Sequence, residues 1–270
     1  LSPLQELQNA AAHIAAGSYE ERVTVSSADE VGALARDFNA MAGAVEQRIE
    51  ELTETAERQR LFIGGVTHEF KTPLTALLLN VDSLQNTYLD EEGRSAAIAR
   101  IEHQTRWLER LVQKLLKLIT LEQAPELRTS SVPELLERVK ESTADALTQR
   151  GVTLQMECHA ERLDMDADLM QSVLVNLVDN AGKASQPGQT VSLTADAAGF
   201  TVRDHGCGIP REEIERITEP FYMVDRSRSK KQGGVGLGLA LVKEIVRAHG
   251  GRLEIESAVD EGTTVRVLMK

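Results

Sequence analysis

Aromatic side chains are scarce in this 270-residue chain, only 3% with a single Trp, so its cores must be built from aliphatic residues. Hydrophobic residues still make up 41%; rich in Leu, Ala and Val, they lean towards packed helices. Cysteine is almost absent. Cys158 and Cys207 form no CxxC pair, which excludes a disulfide framework and a thiolate metal cluster and fits a reducing compartment. No apolar run approaches the roughly 18 residues of a membrane span; the longest candidate lies around Ala76–Val81. Positive charge is in deficit as well, since 42 acidic against 30 basic residues leave −12. A phosphate-backbone binder shows the opposite balance, so direct nucleic-acid binding is excluded. There is no low-complexity tract and no signal peptide, and the chain begins at Leu1 rather than Met. The natural N-terminus is therefore expected upstream.

At about 150 residues per domain the length predicts two domains. Leu4, Leu7, Ala11, Ile14 and Ala15 fall on one helix face, and Gly17 ends it. Ser18–Ala28 alternates and leans towards β structure. A second helical stripe opens at Asp29-Glu30 with Val31, Leu34, Phe38 and Met41, and runs on to about Thr87 with only Pro73 interrupting it. Tyr88–Arg94 has turn chemistry, and Ile98, Ile101, Leu108, Leu111, Leu115 and Leu118 mark a second long helix. One αα-hairpin cannot bury both apolar sides, so pairing with a second copy into a four-helix bundle is expected. Gln123–Ser131 reads as a linker. Beyond it the pattern turns α/β, with helices near 133–149, 167–184 and 236–249. Strands are expected near 152–157, 190–196, 200–204, 252–257 and 263–268, with the helices on one face of the sheet.

Five stretches could carry chemistry. In Phe62–Leu74 a polar His68-Glu69 pair interrupts an apolar seam just before Pro73, which frees a backbone carbonyl near Glu69. An isolated helical His is usually a surface residue, and HExxH fails because Thr72 stands four after His68. The functional reading is an imidazole nucleophile held by an adjacent carboxylate. Asn176, Asn180 and Lys183 share one helix face; amide oxygens suit Mg²⁺ and the Lys suits phosphate, unless the face is merely solvated. Asp204-His-Gly206-Cys-Gly208 is either a plain turn or a carboxylate that accepts from an exocyclic amine beside flexible backbone. Gly233-Gly234-Val-Gly236-Leu-Gly238-Leu239 opens a helix towards a phosphate but is neither a dinucleotide fingerprint nor a P-loop. Gly262-Thr263-Thr264 turns into the last strand. Between the third and fourth stretches, Glu212–Gln232 carries Phe221-Tyr222 and several cations, and reads as a solvated loop or as a lid over a nucleotide.

Taken in order, these motifs resemble those of two-component sensor histidine kinases over nearly the whole chain. His68–Leu74 is similar to the H-box; Asn176–Lys183, Asp204–Gly208, Phe221-Tyr222, Gly234–Gly238 and Gly262–Thr264 are similar to the N, G1, F, G2 and G3 boxes. Pro3, Asp29–Gly32 and Phe38–Met41 resemble a HAMP linker. The implied fold class is multi-domain α and α+β: a HAMP-like helical relay (1–54), a dimeric four-helix-bundle phosphotransfer hairpin (55–124) and an α/β-sandwich ATP-binding domain with a mixed sheet (125–270).

The resemblance implies an ATP-dependent autokinase that phosphorylates His68, with Glu69 orienting the ring and Thr72 positioning water for phosphatase action. It implies ATP and Mg²⁺ as cofactors. Asn176 would ligate the metal, and Asn180 and Lys183 would lie close to the triphosphate. Asp204 would receive the adenine amine beside Gly206 and Gly208. Tyr222, Arg226, Arg228, Gly234, Gly236, Gly238, Leu239 and Thr263 would complete the nucleotide site. It implies a homodimer, a separate receiver domain whose aspartate takes the phosphoryl group, and a transmembrane sensor upstream, so that this chain is the cytoplasmic part of a bacterial membrane protein. Three positions depart from the pattern. Ala184 stands where an aromatic is common, Met223 where a basic residue is common, and Gly182 weakens its helix by about 1 kcal/mol against Ala. The alternative is a nucleotide-binding scaffold that passes on a conformational signal without kinase activity.

Overall fold

The computed structural model describes residues 3–24, 29–120, 125–224 and 235–269. The chain divides into two compact units, Leu1–Gly64 and Gly65–Lys270, and the boundary falls inside a long helix, α2.

The first unit contains α1 (Pro3–Ala15) and the start of α2 (Glu30–Asn86). Asp29 caps α2, its Oδ1 accepting the N–H groups of Val31 and Gly32 at 3.1 and 3.0 Å. The apolar stripe read from the sequence closes into a small cluster of Leu7, Ala10, Val23 and Ala35, flanked by Val31 and Phe38. The β-leaning connector forms no strand in its described part, 18–24. Instead Asn39 pairs with it: its Oδ1 accepts the Val23 N–H and its Nδ2 donates to the Val23 carbonyl, both at 2.9 Å. One carboxamide thus satisfies the backbone that a neighbouring strand would otherwise satisfy.

The second unit continues α2 through Pro73 to Asn86 and returns along α3 (Glu91–Thr120). The turn is shorter than the expected Tyr88–Arg94. Asp90 accepts the Gly93 N–H at 2.8 Å, so the acidic pair Glu91-Glu92 falls in the first helical turn, where it suits the helix dipole. Leu74, Leu78, Leu79, Ile98 and Leu116 stay exposed along the hairpin.

The remainder builds a mixed five-stranded sheet. After α4 (Val132–Arg150) come β2 (Thr153–Cys158), β3 (Arg162–Met165), α5 (Ala167–Ala184), β4 (Thr190–Asp196) and β5 (Gly199–Arg203). Two short 3₁₀ turns follow, then α6 (Gly238–Ala248), β6 (Arg252–Ala258) and β7 (Gly262–Leu268). The strand order is β2-β4-β5-β7-β6, with β2 and β4 parallel and the other pairs antiparallel. Val191, Leu193, Phe200, Val202 and Val267 share one core with Leu135, Val139, Leu174, Leu177, Leu241 and Ile245. All three helices therefore lie on one face of the sheet, as the patterning predicted. Each such fully buried side chain contributes about 1.5–3 kcal/mol relative to exposure.

Two expectations need correction. Residues 128–131, read as linker, form strand β1 (Arg128–Ser131), which pairs antiparallel with β3 in a separate two-stranded sheet. Its polar Arg-Thr-Ser-Ser sequence has no hydrophobic alternation; only the partner strand makes it β. The last helix was expected from 236 but starts at Gly238, because Gly236 lies in the left-handed region at φ 71. Gly182 also finds a reason. A Cβ there would come within 2.5 Å of Leu147 Cδ2, so its absence lets α4 pack closely on α5.

Candidate functional site

A cleft of about 360 Å³ opens between α5, the loops that flank Asp204 and Tyr222, and the start of α6. That is within the size range of a small-ligand site. Asp204 lines it and is only 5% exposed. Its Oδ1 accepts the N–H groups of Gly206 at 2.8 Å and Thr263 at 3.3 Å, and its Oδ2 accepts no hydrogen bond among the described residues. Burial pushes the Asp204 carboxyl above its ordinary value, against the pull of those two N–H groups and of His205. The result is a fixed, desolvated acceptor at the cleft wall, suited to a neutral N–H donor of a bound ring. Gly206 acts on Asp204 and does not itself line the cleft. Gly208 does line it, at φ 63, where a Cβ would lie 1.9 Å from the Ala258 carbonyl oxygen. Only glycine fits there. Thr263 lines the cleft too, and its hydroxyl is 2.9 Å from Ser257 Oγ.

Asn180, Lys183, Gly236, Gly238 and Leu239 line the same cleft. Lys183 is not aimed freely into it, because it pairs with Asp179 at 2.8 Å, and Arg150 pairs with the same carboxylate at 2.9 Å. Burial alone would raise the Asp179 carboxyl, but Lys183 and Arg150 outweigh it and hold it below its ordinary value. Asn176 lies one turn back, lining an adjoining hollow with Arg110 and Asp179. Its Nδ2 donates to the Ser172 carbonyl at 2.7 Å, and a Cβ on Gly238 would sit 3.2 Å from its Oδ1. That carboxamide oxygen is a hard donor at the mouth of α6, which fits a divalent cation completed by phosphate and water oxygens. Among the described residues no group of three His, Cys, Asp or Glu could hold a metal by itself.

Tyr222 lines the cleft, and its hydroxyl donates to Glu213, which raises the phenol above its ordinary value. The Arg216 guanidinium stacks 4.3 Å from the ring centroid. Arg226, Arg228 and Gly234 lie outside the described residues.

On α2 the His68 side chain is 64% exposed, whereas that of Glu69 is 11% exposed. His68 Nδ1 lies 3.3 Å from Glu69 Oε1, so Nε2 is the ring nitrogen directed away from the carboxylate. Thr72 is exposed and its hydroxyl donates to the His68 carbonyl at 3.4 Å. The arrangement is an accessible imidazole backed by a buried carboxylate, a geometry suited to holding a proton on Nδ1 and leaving the Nε2 lone pair open.

Three known families match the chain in succession. Residues 1–47 match the HAMP domain, 58–124 the His Kinase A phospho-acceptor domain, and 165–270 the histidine kinase-, DNA gyrase B- and HSP90-like ATPase. The sensor histidine kinase YclK of Bacillus subtilis is 34% identical over 269 residues, which cover 96% of this chain and 57% of YclK. The chain belongs to the two-component sensor histidine kinases. It spans about half the length of the curated relatives it matches, 57% of YclK and 39% of the sensor protein kinase WalK of Staphylococcus saprophyticus. Full-length ShkA, solved in complex with AMPPNP, is 28% identical with a TM-score of 0.56, over 76% of this chain and 44% of that one. The histidine kinase ThkA, solved in complex with the response regulator TrrA, shares the fold at a TM-score of 0.62 and 21% identity, over 83% of this chain and 63% of that one.

Sequence motifs did not point to every residue of this kinase-family cleft. Lys114 of α3 lines it, as do Ile217 and Ile255. Lys114 had one signal available, its place in the Arg110, Lys114, Lys117 stripe on one helix face. Arg216 had none, because its stacking on Tyr222 depends on how the 3₁₀ turns fold.

Proposed function

We propose that this chain is the signal-relay and catalytic part of a membrane-anchored sensor, an ATP-dependent kinase of its own His68 that passes the phosphoryl group to an aspartate on a separate receiver domain. The carrying observation is the pairing of an exposed His68, backed by buried Glu69, with a cleft whose wall presents the fixed Asp204 acceptor. Asp204 Oδ2 accepts the adenine amine, and Gly208 lets the backbone approach the ring. The Nε2 lone pair of His68 attacks the γ-phosphorus in line, the bond to the β,γ-bridging oxygen breaks, and ADP leaves. Glu69 accepts the hydrogen bond of Nδ1–H and stabilises the positive ring as it forms. Positioning and charge neutralisation are what this reaction asks of a protein. Asn176 would hold Mg²⁺ by its Oδ1, with Asn180 beside it; the bound ion supplies charge neutralisation at the phosphates.

Leu78, Leu79 and Ile98 are 71, 62 and 56% exposed, which supports a second copy pairing along the hairpin into a four-helix bundle. Thr72, one turn beyond His68 and exposed, would position water in receiver dephosphorylation. No helix among the described residues is long and apolar enough to cross a membrane; the anchor belongs to the sensor region upstream, as the HAMP match supports.

Incubation with ATP labelled on the γ-phosphate and Mg²⁺ should leave acid-labile, base-stable label on the protein. His68→Gln should abolish it. Label that survives in His68→Gln, or nucleotide binding with no transfer by the wild type, would overturn the kinase reading.

A further inference from the structure

The α3 helix turns a basic stripe, Arg110, Lys114 and Lys117, towards α5. Lys117 Nζ lies 3.3 Å from Ser172 Oγ, and all three line one hollow with Asn176 and Asp179. Lys114 reaches further and also lines the main cleft, alongside Asn180, Lys183 and Gly238. The carboxylate within this group is Asp179, already shared by Arg150 and Lys183. Asp168, at the edge of the hollow, is engaged by Arg138 at 2.9 Å. Lys114 itself has no carboxylate within 4.0 Å among the described residues. Among the described residues, Arg110, Lys117, Lys183 and Arg150 lie with Lys114 around the Asp179 carboxylate, and Lys114 is half-buried there. Burial, together with Lys183, Arg110 and Lys117, holds its ammonium below the ordinary value, while Asp179 pulls the other way. A partly desolvated cation of this kind is costly unless an anion joins it.

We infer that Lys114, carried by the hairpin that bears His68, is a phosphate-contacting residue of the nucleotide cleft. The inference rests on the nucleotide reading of that cleft and deepens it. A triphosphate laid beside Asn180 and Gly238 brings the missing negative charge to Lys114. A Lys, as a compact point charge on a flexible stem, can follow the terminal phosphate. Because Lys114 and the rest of the cleft come from different parts of the unit, the phosphate tail bridges the hairpin to the sheet domain. Occupancy of the cleft and docking of α3 on the sheet domain then become linked equilibria, each favouring the other.

The test is equilibrium binding of ATP and of ADP, each with Mg²⁺, to the whole chain and to Lys114→Gln, Lys114→Arg and Lys117→Gln. Lys114→Gln should weaken ATP by about tenfold, the scale of one charge-assisted hydrogen bond, and ADP by less. Lys114→Arg should retain most of the ATP affinity, and Lys117→Gln should stay within about twofold of the wild type. A residue that serves only packing would not change the preference for ATP over ADP. Lys114→Gln binding ATP as the wild type does, or losing ATP and ADP equally, overturns the inference. So does an equal loss of ATP preference in Lys117→Gln, which would reduce the effect to general charge. A wild type that binds neither nucleotide overturns the nucleotide reading itself.

Discussion

Replacing Asp204 by Asn separates binding from folding at one atom. Asn keeps an oxygen where Asp204 Oδ1 accepts the Gly206 and Thr263 N–H groups, so the local turn should persist. What changes is the second position, where a carboxylate oxygen becomes an NH₂ donor that faces another donor on the adenine. Losing a hydrogen bond to a charged acceptor costs about 1.5–3 kcal/mol, so nucleotide Kd should rise on the order of 10- to 100-fold. Stability should not fall in parallel. The folded-state carboxyl is raised by burial, so the ionised group disfavours the folded state, and that cost grows as pH rises from the unfolded towards the folded pKa. Asn removes it. At neutral pH Asp204→Asn should therefore unfold within about 1 kcal/mol of the wild type or slightly above it, and the difference should shift against the variant in acid. Binding carries the matching signature. The wild type should lose ATP affinity as pH falls through a carboxyl pKa above the usual range, because a protonated Oδ2 can no longer accept, and the variant should lack that limb. Calorimetric titration across pH, paired with urea unfolding, reads both. An unchanged Kd in the variant, or a stability loss of several kcal/mol, would refute this account of Asp204.

Two further outcomes follow. His249 is 6% exposed; its Nδ1–H donates to the Ile245 carbonyl at 2.8 Å and its Nε2 accepts the Asp166 N–H at 3.1 Å, which ties the end of α6 to the cap of α5. His249→Ala should cost about 2–4 kcal/mol through a cavity and an orphaned N–H, seen as a lower urea midpoint; an unchanged midpoint would show that water or a local shift replaces the ring. Both thiols are exposed, but Cys207 lines the cleft and Cys158 lies on β2 outside it. Bound ATP should therefore slow alkylation of Cys207 and leave Cys158 unaffected, as peptide mass mapping would show; equal rates at both thiols would place the nucleotide elsewhere.

Much of the architecture was legible because periodicity carries it. The helix Ala167–Ala184 was readable to the residue, since its apolar positions repeat at helical spacing and Asp166 caps it through the Asp168 and Leu169 N–H groups. The longer strands were readable because Val191, Leu193 and Ala195 alternate with polar residues, and one face of the sheet is buried. The strand at Arg128–Ser131 was not legible, because it is short and polar and exists through its register with Arg162–Met165. The connector at 18–24 failed for the converse reason: its alternation suggested a strand, but a side chain of Asn39 took the pairing.

Composition and motif together decided what chemistry this chain can hold. The scarcity of aromatics foretold aliphatic cores, and the identities of His68, Glu69, Asn176 and Asp204 offered an imidazole, a carboxylate beside it, an amide oxygen and a carboxylate acceptor. These follow from side-chain chemistry, which needs no fold to be read. Tertiary structure alone decided which of these groups meet and in what state. It buried Glu69 beside an exposed His68, drew Lys183 onto Asp179, desolvated Asp204, and brought Lys114 from a distant helix to the cleft wall. The physical reason is that burial and Coulomb interaction depend on separation in space, and residues far apart in the chain acquire that separation only when helices and sheet pack.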